Sequence, residues 1–367
     1  MTVAERLFTT MLMRTTWMRN VASIALAGGV TVGLVAGCAS SENETPSRES
    51  SAAADSSAFP VTIESTLGKA EITEAPTRIA TWGWSNQDAL LALGVVPVAM
   101  PTFAEAQYGA DDRGVLQWDA QALEDLGVQT PTLLSGDGTG AAPIEQFAEA
   151  DPDLIFAPYS GLSQEEFDAL SQIAPVVGYP GEPWTASWED QLTIAGKALG
   201  KEKEAADLVS DVESSIADAA AKYPALAGKT VTIALPNAPG TFAVSKSDDV
   251  RVEFLEQLGL VNEPNIQKAD PSKDAEAVYF ELSLEQASSI ESDVLFVVAY
   301  DKETLTAFLT EPAVATQPVS TEGRIASTED FSVDKNFAFG GLTVLTIPYI
   351  LDDVASALNA AAENVQG

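Results

Sequence analysis

The chain has 367 residues and is strongly acidic, with 54 Asp and Glu against 19 Lys and Arg and a net charge of −35. So acidic a surface excludes nucleic acid as a partner, because phosphate binding needs clustered Lys and Arg. Histidine is absent, which removes the commonest metal ligand and the usual general base. A zinc hydrolase or a Ser-His-Asp enzyme is therefore not expected, and we predict neither a metal site nor catalytic residues.

The N-terminal segment predicts export. Arg14 and Arg19 precede an apolar stretch from Val21 to Ala36, and Cys38, the only cysteine, follows it by two positions. It is shorter than the roughly 20 apolar residues of a spanning helix. Val35-Ala36-Gly37-Cys38 resembles the lipobox of bacterial lipoproteins, which implies that residues 1–37 are a signal peptide and that Cys38 carries the lipid. The alternative is a signal cut elsewhere, with Cys38 incidental.

Residues 38–58 are small and polar and predict a flexible tether. Its expected span is roughly 25 Å. From residue 59 strand and helix patterns alternate, which indicates a parallel sheet covered by helices. Strands are predicted over residues 78–82, 95–99, 154–157 and 176–179, and helices over 86–93, 143–150 and 164–173.

Residues 201–223 predict one long amphipathic helix, because apolar residues recur at spacings of three and four. Alternation then resumes, with strands over 230–235 and 294–298 and helices over 250–258 and 350–362. The predicted fold class is α/β: two similar lobes with mostly parallel sheets flanked by helices, residues 59–200 and 224–367. They are joined by one long rigid α-helix, so we expect little lobe movement.

A short repeat supports the similarity of the lobes. Ile144-Glu145-Gln146 precedes Asp153-Leu154-Ile155-Phe156, and Leu284-Glu285-Gln286 precedes Asp293-Val294-Leu295-Phe296, 140 positions later. Both copies predict the start of a helix followed by a buried strand.

These features together resemble the substrate-binding proteins of bacterial ABC importers for ferric siderophores, haem and cobalamin. The resemblance covers roughly residues 60–363 and rests on four segments: Arg78-Ile79-Ala80, Asp88 to Val98, Glu145 with Pro152-Asp153-Leu154-Ile155, and Ile173-Ala174-Pro175-Val176-Val177.

The resemblance implies a monomeric capture protein, lipid-anchored on the extracytoplasmic face of the cell membrane. It would bind a ferric siderophore between its lobes and deliver it to an ABC permease dimer with its ATPase, without a cofactor or catalysis of its own. The first alternative is the same role for haem or cobalamin. The second is an extracellular hydrolase that uses carboxylates, although no paired-carboxylate motif lies near the predicted strand ends.

The family also implies a role for the repeated glutamates. Glu145 and Glu285 match the positions at which one carboxylate from each lobe docks into arginine pockets of a two-fold permease. Alternatively, both carboxylates only stabilise first helical turns, where the helix dipole contributes about 0.3–1 kcal/mol.

Ligands of open α/β sheets bind beyond the carboxyl ends of the strands, and aromatic and arginine residues suit a ferric siderophore. The predicted ligand-binding residues are Trp82, Trp84, Arg113, Tyr159, Trp184, Arg251 and Tyr300. Lys246 and Arg324 are weaker candidates. Alternatively, some of the rings pack in the hydrophobic core, and the arginines form surface ion pairs with neighbouring Asp residues. Each such pair stabilises the fold by about 0–1 kcal/mol.

Overall fold

The computed structural model describes residues 56–365, except 239, 271–277, 290 and 300. The predicted signal peptide, Cys38 and most of the predicted tether lie outside the described residues, and so does Tyr300. Within the described ranges, no helix combines the length and the apolar character needed to cross a bilayer.

The first lobe contains an all-parallel sheet of five strands in the order β5-β4-β3-β6-β7. Its strands are β3 (Ile79–Thr81), β4 (Ala99–Pro101), β5 (Thr132–Leu134), β6 (Leu154–Phe156) and β7 (Val176–Val177). The helices that follow them are α1 (Gln87–Ala92), α2 (Gln117–Leu126), α3 (Ile144–Ala150), α4 (Gln164–Leu170) and α5 (Trp188–Leu199). An antiparallel hairpin, β1 (Val61–Ser65) and β2 (Gly68–Ile72), lies beside β7. Strands β3, β4 and β6 are buried throughout, as expected for a parallel sheet with both faces covered.

The joining helix α6 spans Glu202–Lys222, within the predicted range of 201–223. Its buried face includes Ala205, Val212, Ile216 and Ala219, four of the apolar positions that predict it. This face packs against α5 and the C-terminal helix α12 (Thr346–Ala362).

The second lobe contains a six-stranded sheet in the order β11-β9-β8-β12-β13, with β10 paired to β8. The strands are β8 (Thr230–Ala238), β9 (Thr241–Ser245), β10 (Val261–Asn262), β11 (Tyr279–Ser283), β12 (Val294–Val297) and β13 (Ile325–Ser327). The pairs β8–β10, β8–β12 and β12–β13 are parallel, whereas β9 is antiparallel to β8 and β11. The other helices are α7 (Val250–Gln257), α8 (Lys302–Thr310), α9 (Pro312–Ala315), α10 (Pro318–Thr321) and α11 (Val333–Gly340). Short 3-10 helices occur at Ser56–Ala58, Ala106–Tyr108, Pro224–Leu226, Ile266–Ala269 and Leu284–Ser289.

One hydrophobic core connects the two sheets. It includes Phe156 of β6, Ile216 of α6 and Phe296 of β12. The joining helix is therefore part of the core and not an exposed linker.

Phe337 of α11 extends this core into the first lobe. Its ring lies 4.6 Å from that of Trp84, 4.8 Å from Tyr108, 5.6 Å from Phe103 and 6.3 Å from Trp118, measured between centroids. Aromatic pairs at these separations stabilise beyond the area they bury. Phe337 therefore anchors the second lobe to the first.

The predicted fold class is confirmed: the chain forms two α/β lobes with mostly parallel sheets and a long joining helix. The strand predicted over residues 95–99 was wrong, since β4 begins at Ala99 and pairs there with Ala80 of β3. Pro97 has no backbone N–H to donate to a neighbouring strand, so β4 begins after it; Pro101 is the last residue of β4. The helix predicted over residues 350–362 begins earlier, at Thr346, because Pro348 falls in its first turn, where a missing N–H costs little.

Candidate functional site

Asn86 joins the loops that follow β3 and β6. Its side-chain amide donates hydrogen bonds to the carbonyl oxygens of Trp82 at 2.6 Å and Tyr159 at 2.9 Å, and its oxygen accepts the N–H of Tyr159 at 3.1 Å. Gly83 has a φ of 104°, and a Cβ there would stand 2.2 Å from the Tyr159 carbonyl oxygen. Only glycine fits this turn, which holds Trp84 and Tyr159 at one edge of the sheet.

Three aromatic side chains that follow three different strands meet where the lobes face each other. Tyr159 and Trp184 pack edge to face, with ring centroids 5.6 Å apart. Trp84 packs against the same cluster, which the second lobe completes through the buried side chain of Val250 at the start of α7. Trp84 and Trp184 are half-buried, so part of each ring can contact a ligand.

Trp184 has an unusual backbone conformation. Its φ is +63°, in the left-handed region that bulky residues rarely adopt. Its ring lies over Gly161, where a Cβ would stand 2.7 Å from the Trp184 Nε1 atom. Such backbone strain persists only where the surroundings hold it, and it concentrates at functional sites.

Asp249 and Arg251 form a two-point ion pair beside these rings. Arg251 donates from Nε to Oδ1 of Asp249 at 2.8 Å and from Nη2 to Oδ2 at 2.5 Å. The Asp249 carboxylate also caps α7, because it accepts the backbone N–H of Arg251 at 2.9 Å. The Asp249 side chain is 2% exposed and the Arg251 side chain 11%. We call Trp84, Tyr159, Trp184, Asp249 and Arg251 the interlobe site.

The electrostatic environment of Tyr159 links the two lobes. Burial raises the pKa of the Tyr159 hydroxyl, the charge of Asp249 raises it further, and Arg251 opposes this. Because Tyr159 belongs to the first lobe and the ion pair to the second, a ligand held here would contact both lobes. At neutral pH Tyr159 is a neutral hydrogen-bonding group.

Two predicted ligand residues lie apart from the interlobe site. Trp82 is 1% exposed and packs edge to face on Phe147, 6.0 Å between centroids, in the core of the first lobe. The Arg113 side chain is 53% exposed, pairs with Asp111 at 2.5 Å and donates to the Thr130 hydroxyl at 2.7 Å. At Trp82 the structure therefore shows the alternative of core packing, and at Arg113 it shows the alternative of a local ion pair.

The two weaker candidates also have carboxylate partners. Lys246 pairs with Asp270 at 3.2 Å. Arg324 pairs with Glu322 at 3.0 Å, and it donates to the Ser292 and Asp293 carbonyl oxygens, just before β12 begins. Arg324 is therefore at the amino end of the strands, away from the interlobe site.

The repeated glutamates occupy corresponding places. Glu145 is exposed in the first turn of α3, after β5, and Glu285 is exposed in the 3-10 helix after β11. Strands β5 and β11 are each at the end of their sheet's strand order. Both carboxylates thus follow the carboxyl end of an edge strand, one in each lobe.

A separate groove of about 400 Å³ runs along α2. Its lining contains no residue of the interlobe site and consists of Arg113, Gln117, Ala120, Gln121, Leu123, Glu124 and Val128. In the described ranges, no group of three or more Asp or Glu side chains is placed to hold a metal ion.

Sequence reasoning missed two residues that build the interlobe site, Asn86 and Gly161. It gave an ion pair between Arg251 and a neighbouring Asp only as a surface alternative; the pair with Asp249 forms, but it is buried and its carboxylate also caps α7. Nothing in the sequence indicated Asn86 or Gly161, because each contacts a residue that follows a different strand.

Comparison with known proteins is consistent with this geometry. The model of the periplasmic binding protein family matches residues 79–330. YfiY of Bacillus subtilis, a probable siderophore-binding lipoprotein, is 26% identical over 274 residues, 74% of this chain and 77% of that protein. The ferric enterobactin-binding periplasmic protein FepB of Escherichia coli is 26% identical over 293 residues, 77% of this chain and 89% of that protein. The crystal structure of Streptococcus pneumoniae PiaA in complex with ferrichrome is 29% identical with a TM-score of 0.73, covering 83% of this chain and 100% of that chain.

Proposed function

This chain belongs to the periplasmic binding protein family, and we propose that it captures a ferric siderophore between its lobes and delivers it to an ABC importer. The observation that carries the proposal is the interlobe site, where Trp84, Tyr159 and Trp184 meet the start of α7. Its three rings lie beyond the carboxyl ends of β3, β6 and β7, where open α/β sheets bind ligands. The siderophore-binding relative YfiY, the ferric enterobactin-binding FepB and the complex of PiaA with ferrichrome support this choice of ligand.

The protein would act by binding and release, without catalysis. A lipid on Cys38 would hold a monomer on the extracytoplasmic face of the cell membrane, as the lipoprotein name of the Bacillus subtilis relative supports. A tether of about 20 residues keeps the lobes near the membrane and raises their local concentration beside a permease.

Delivery would use Glu145 and Glu285. Their corresponding positions, each after an edge strand and each exposed, suit a partner with two-fold symmetry such as a permease dimer with its ATPase. Arginine is the expected partner of such carboxylates, because it binds them at two points.

Quenching of tryptophan fluorescence tests the choice of ligand. Trp84 and Trp184 belong to the interlobe site, so a bound ferric complex should quench the emission of the purified protein. Ferric siderophores, haem and cobalamin are titrated separately, each with its metal-free form as the control. Saturable quenching by a ferric siderophore and not by haem or cobalamin is the expected result. Saturation by haem or cobalamin alone would overturn the assignment.

A further inference from the structure

We infer that the interlobe site selects ferric complexes without net negative charge, of the tris-hydroxamate class, and that Asp249 determines this selectivity. The inference rests on the proposed function and narrows its ligand. It follows from the charged side chains of the interlobe site and of loops that follow other strands of the two sheets.

The first observation is the ion pair in the site itself. Both Arg251 donors that face Asp249 are engaged at 2.5–2.8 Å, and the carboxylate is almost completely buried. Arginine recognises anionic ligands with the same two-point geometry. Because Asp249 already neutralises the guanidinium, Arg251 offers an anionic ligand little net attraction.

The second observation concerns two lysines that follow strands of the second lobe. Lys246, directly after β9, pairs with the nearly buried Asp270 at 3.2 Å. Lys302, which opens α8 after β12, pairs with Glu329 at 2.5 Å. Like Arg251, each lysine is paired with a carboxylate, so neither pair carries a net positive charge.

The first lobe contributes a carboxylate close to the turn that precedes Trp84. Asp137, in the loop after β5, accepts hydrogen bonds from the Tyr108 hydroxyl at 2.5 Å and from Thr139 at 2.7 Å. Partial burial raises the pKa of Asp137, but these hydrogen bonds outweigh it and leave the pKa below its usual range. A Cβ on Gly138 would stand 2.4 Å from the carbonyl oxygen of Gly83, so the loop lies against the turn that holds Trp84.

Siderophore classes differ in the charge of their ferric complexes. Three hydroxamates balance the charge of Fe(III), so a tris-hydroxamate complex is neutral, whereas a tris-catecholate complex is triply negative. At an effective dielectric constant near 20, one unpaired negative charge 7 Å from another costs about 2 kcal/mol. The described charges around the site therefore favour the neutral class, which the aromatic rings can still contact.

Removing the charge of Asp249 tests the inference. Asp249→Asn keeps a residue that caps helices well but removes the negative charge that faces the Arg251 guanidinium. Asp111→Asn is the matched control, since it frees Arg113 from the same kind of ion pair outside the interlobe site. Ferrichrome, a neutral tris-hydroxamate, and ferric enterobactin, a tris-catecholate, are titrated against each protein by tryptophan fluorescence at fixed pH and salt.

The wild-type protein should prefer the tris-hydroxamate complex. In Asp249→Asn the affinity ratio should shift about tenfold or more toward the tris-catecholate complex, and in Asp111→Asn it should not shift. An equal shift in both variants, or a wild-type preference for the tris-catecholate complex, would overturn the inference and leave the proposed function standing. Wild-type protein that binds no ferric complex would instead overturn the proposed function. If Asp249→Asn does not fold, Asp249→Ser removes the same charge and keeps a good cap.

Discussion

Thr343 donates a 2.6 Å hydrogen bond to the carboxyl group of Asp88, joining positions 255 residues apart in different lobes. Asp119 lies beside Asp88 and accepts a hydrogen bond from Gln87 at 2.7 Å. Both carboxyl groups are completely buried. Burial raises the pKa of Asp119 to about 7, and burial together with the charge of Asp119 raises the pKa of Asp88 well above its usual range. The lobes therefore meet at a pair of acids that the fold prefers protonated.

This pair makes stability depend on pH. A carboxyl whose folded pKa exceeds its unfolded value of about 4 stabilises the fold in its protonated form. That contribution is complete below about pH 4 and is lost as the pH rises toward the folded value of about 7. Asp119→Asn keeps the shape without the ionisation, so its free energy of unfolding should exceed that of the wild type by ~1–3 kcal/mol at pH 8.

Urea unfolding of both proteins at pH 5 and pH 8 measures this. The difference in free energy of unfolding between variant and wild type should be smaller at pH 5 than at pH 8. Taking this difference cancels the contributions of the other carboxylates, because both proteins contain them. Parallel pH profiles would contradict the pKa assigned to the buried pair.

Phe337 should contribute strongly to stability and to binding. Phe337→Ala removes a ring that contacts four others, including Trp84 of the interlobe site. We expect the free energy of unfolding to fall by about 3–5 kcal/mol and ligand affinity to fall with it. Urea unfolding and fluorescence titration measure the two effects.

Phe308→Ala is the matched control for Phe337→Ala. Phe308 is buried in the separate core of the second sheet, against Phe242. Its loss should reduce stability but leave ligand affinity within about twofold. Equal loss of affinity in both variants would mean that Phe337 acts only through general stability.

Gly161 should be required for the position of Trp184. In Gly161→Ala the new Cβ would stand 2.7 Å from the Trp184 ring, so the ring must move away from Tyr159. Ligand affinity should fall about tenfold, equivalent to ~1.4 kcal/mol. Gly140→Ala is the control, because a Cβ at Gly140 meets nothing within 4 Å. Unchanged affinity in Gly161→Ala would remove Trp184 from the site.

Reversal of the docking charges should separate delivery from capture. A Glu145→Lys, Glu285→Lys protein should bind ligand as the wild type does, because neither residue lies in the interlobe site, yet fail to support uptake. The control carries Glu149→Lys and Glu291→Lys, the same charge change at two other exposed positions. Iron uptake by cells producing each protein measures the effect. Normal uptake with the first protein would exclude docking through these glutamates.

The sequence predicts much of the fold because its signals there are local. The apolar spacing of residues 201–223 depends on one helix alone, and α6 spans Glu202–Lys222. Buried strands such as β6 and β12 also appear as short apolar runs. Strand β11 was not predicted, and its antiparallel pairing with β9 joins residues more than 30 positions apart in the sequence. Strand β9 was also missed, although it forms a tight hairpin with β8.

The interlobe site was predicted only in part, and the reason is again the range of the contacts. Trp84, Tyr159 and Trp184 were found because each follows a strand, and the carboxyl ends of parallel strands share an edge. Trp82 follows the same strand as Trp84 but packs into the core. Which ring points inward depends on the Asn86 hydrogen bonds to another loop, and these have no sequence signature.

The position of the iron in crystals of this protein grown with a ferric tris-hydroxamate tests the central claim most directly. Anomalous scattering locates the metal without reference to the rest of the ligand. We predict a single iron peak in the interlobe site, bordered by Trp84, Tyr159, Trp184 and Arg251. An iron peak in the groove along α2, or a ligand that contacts one lobe only, would contradict capture between the lobes.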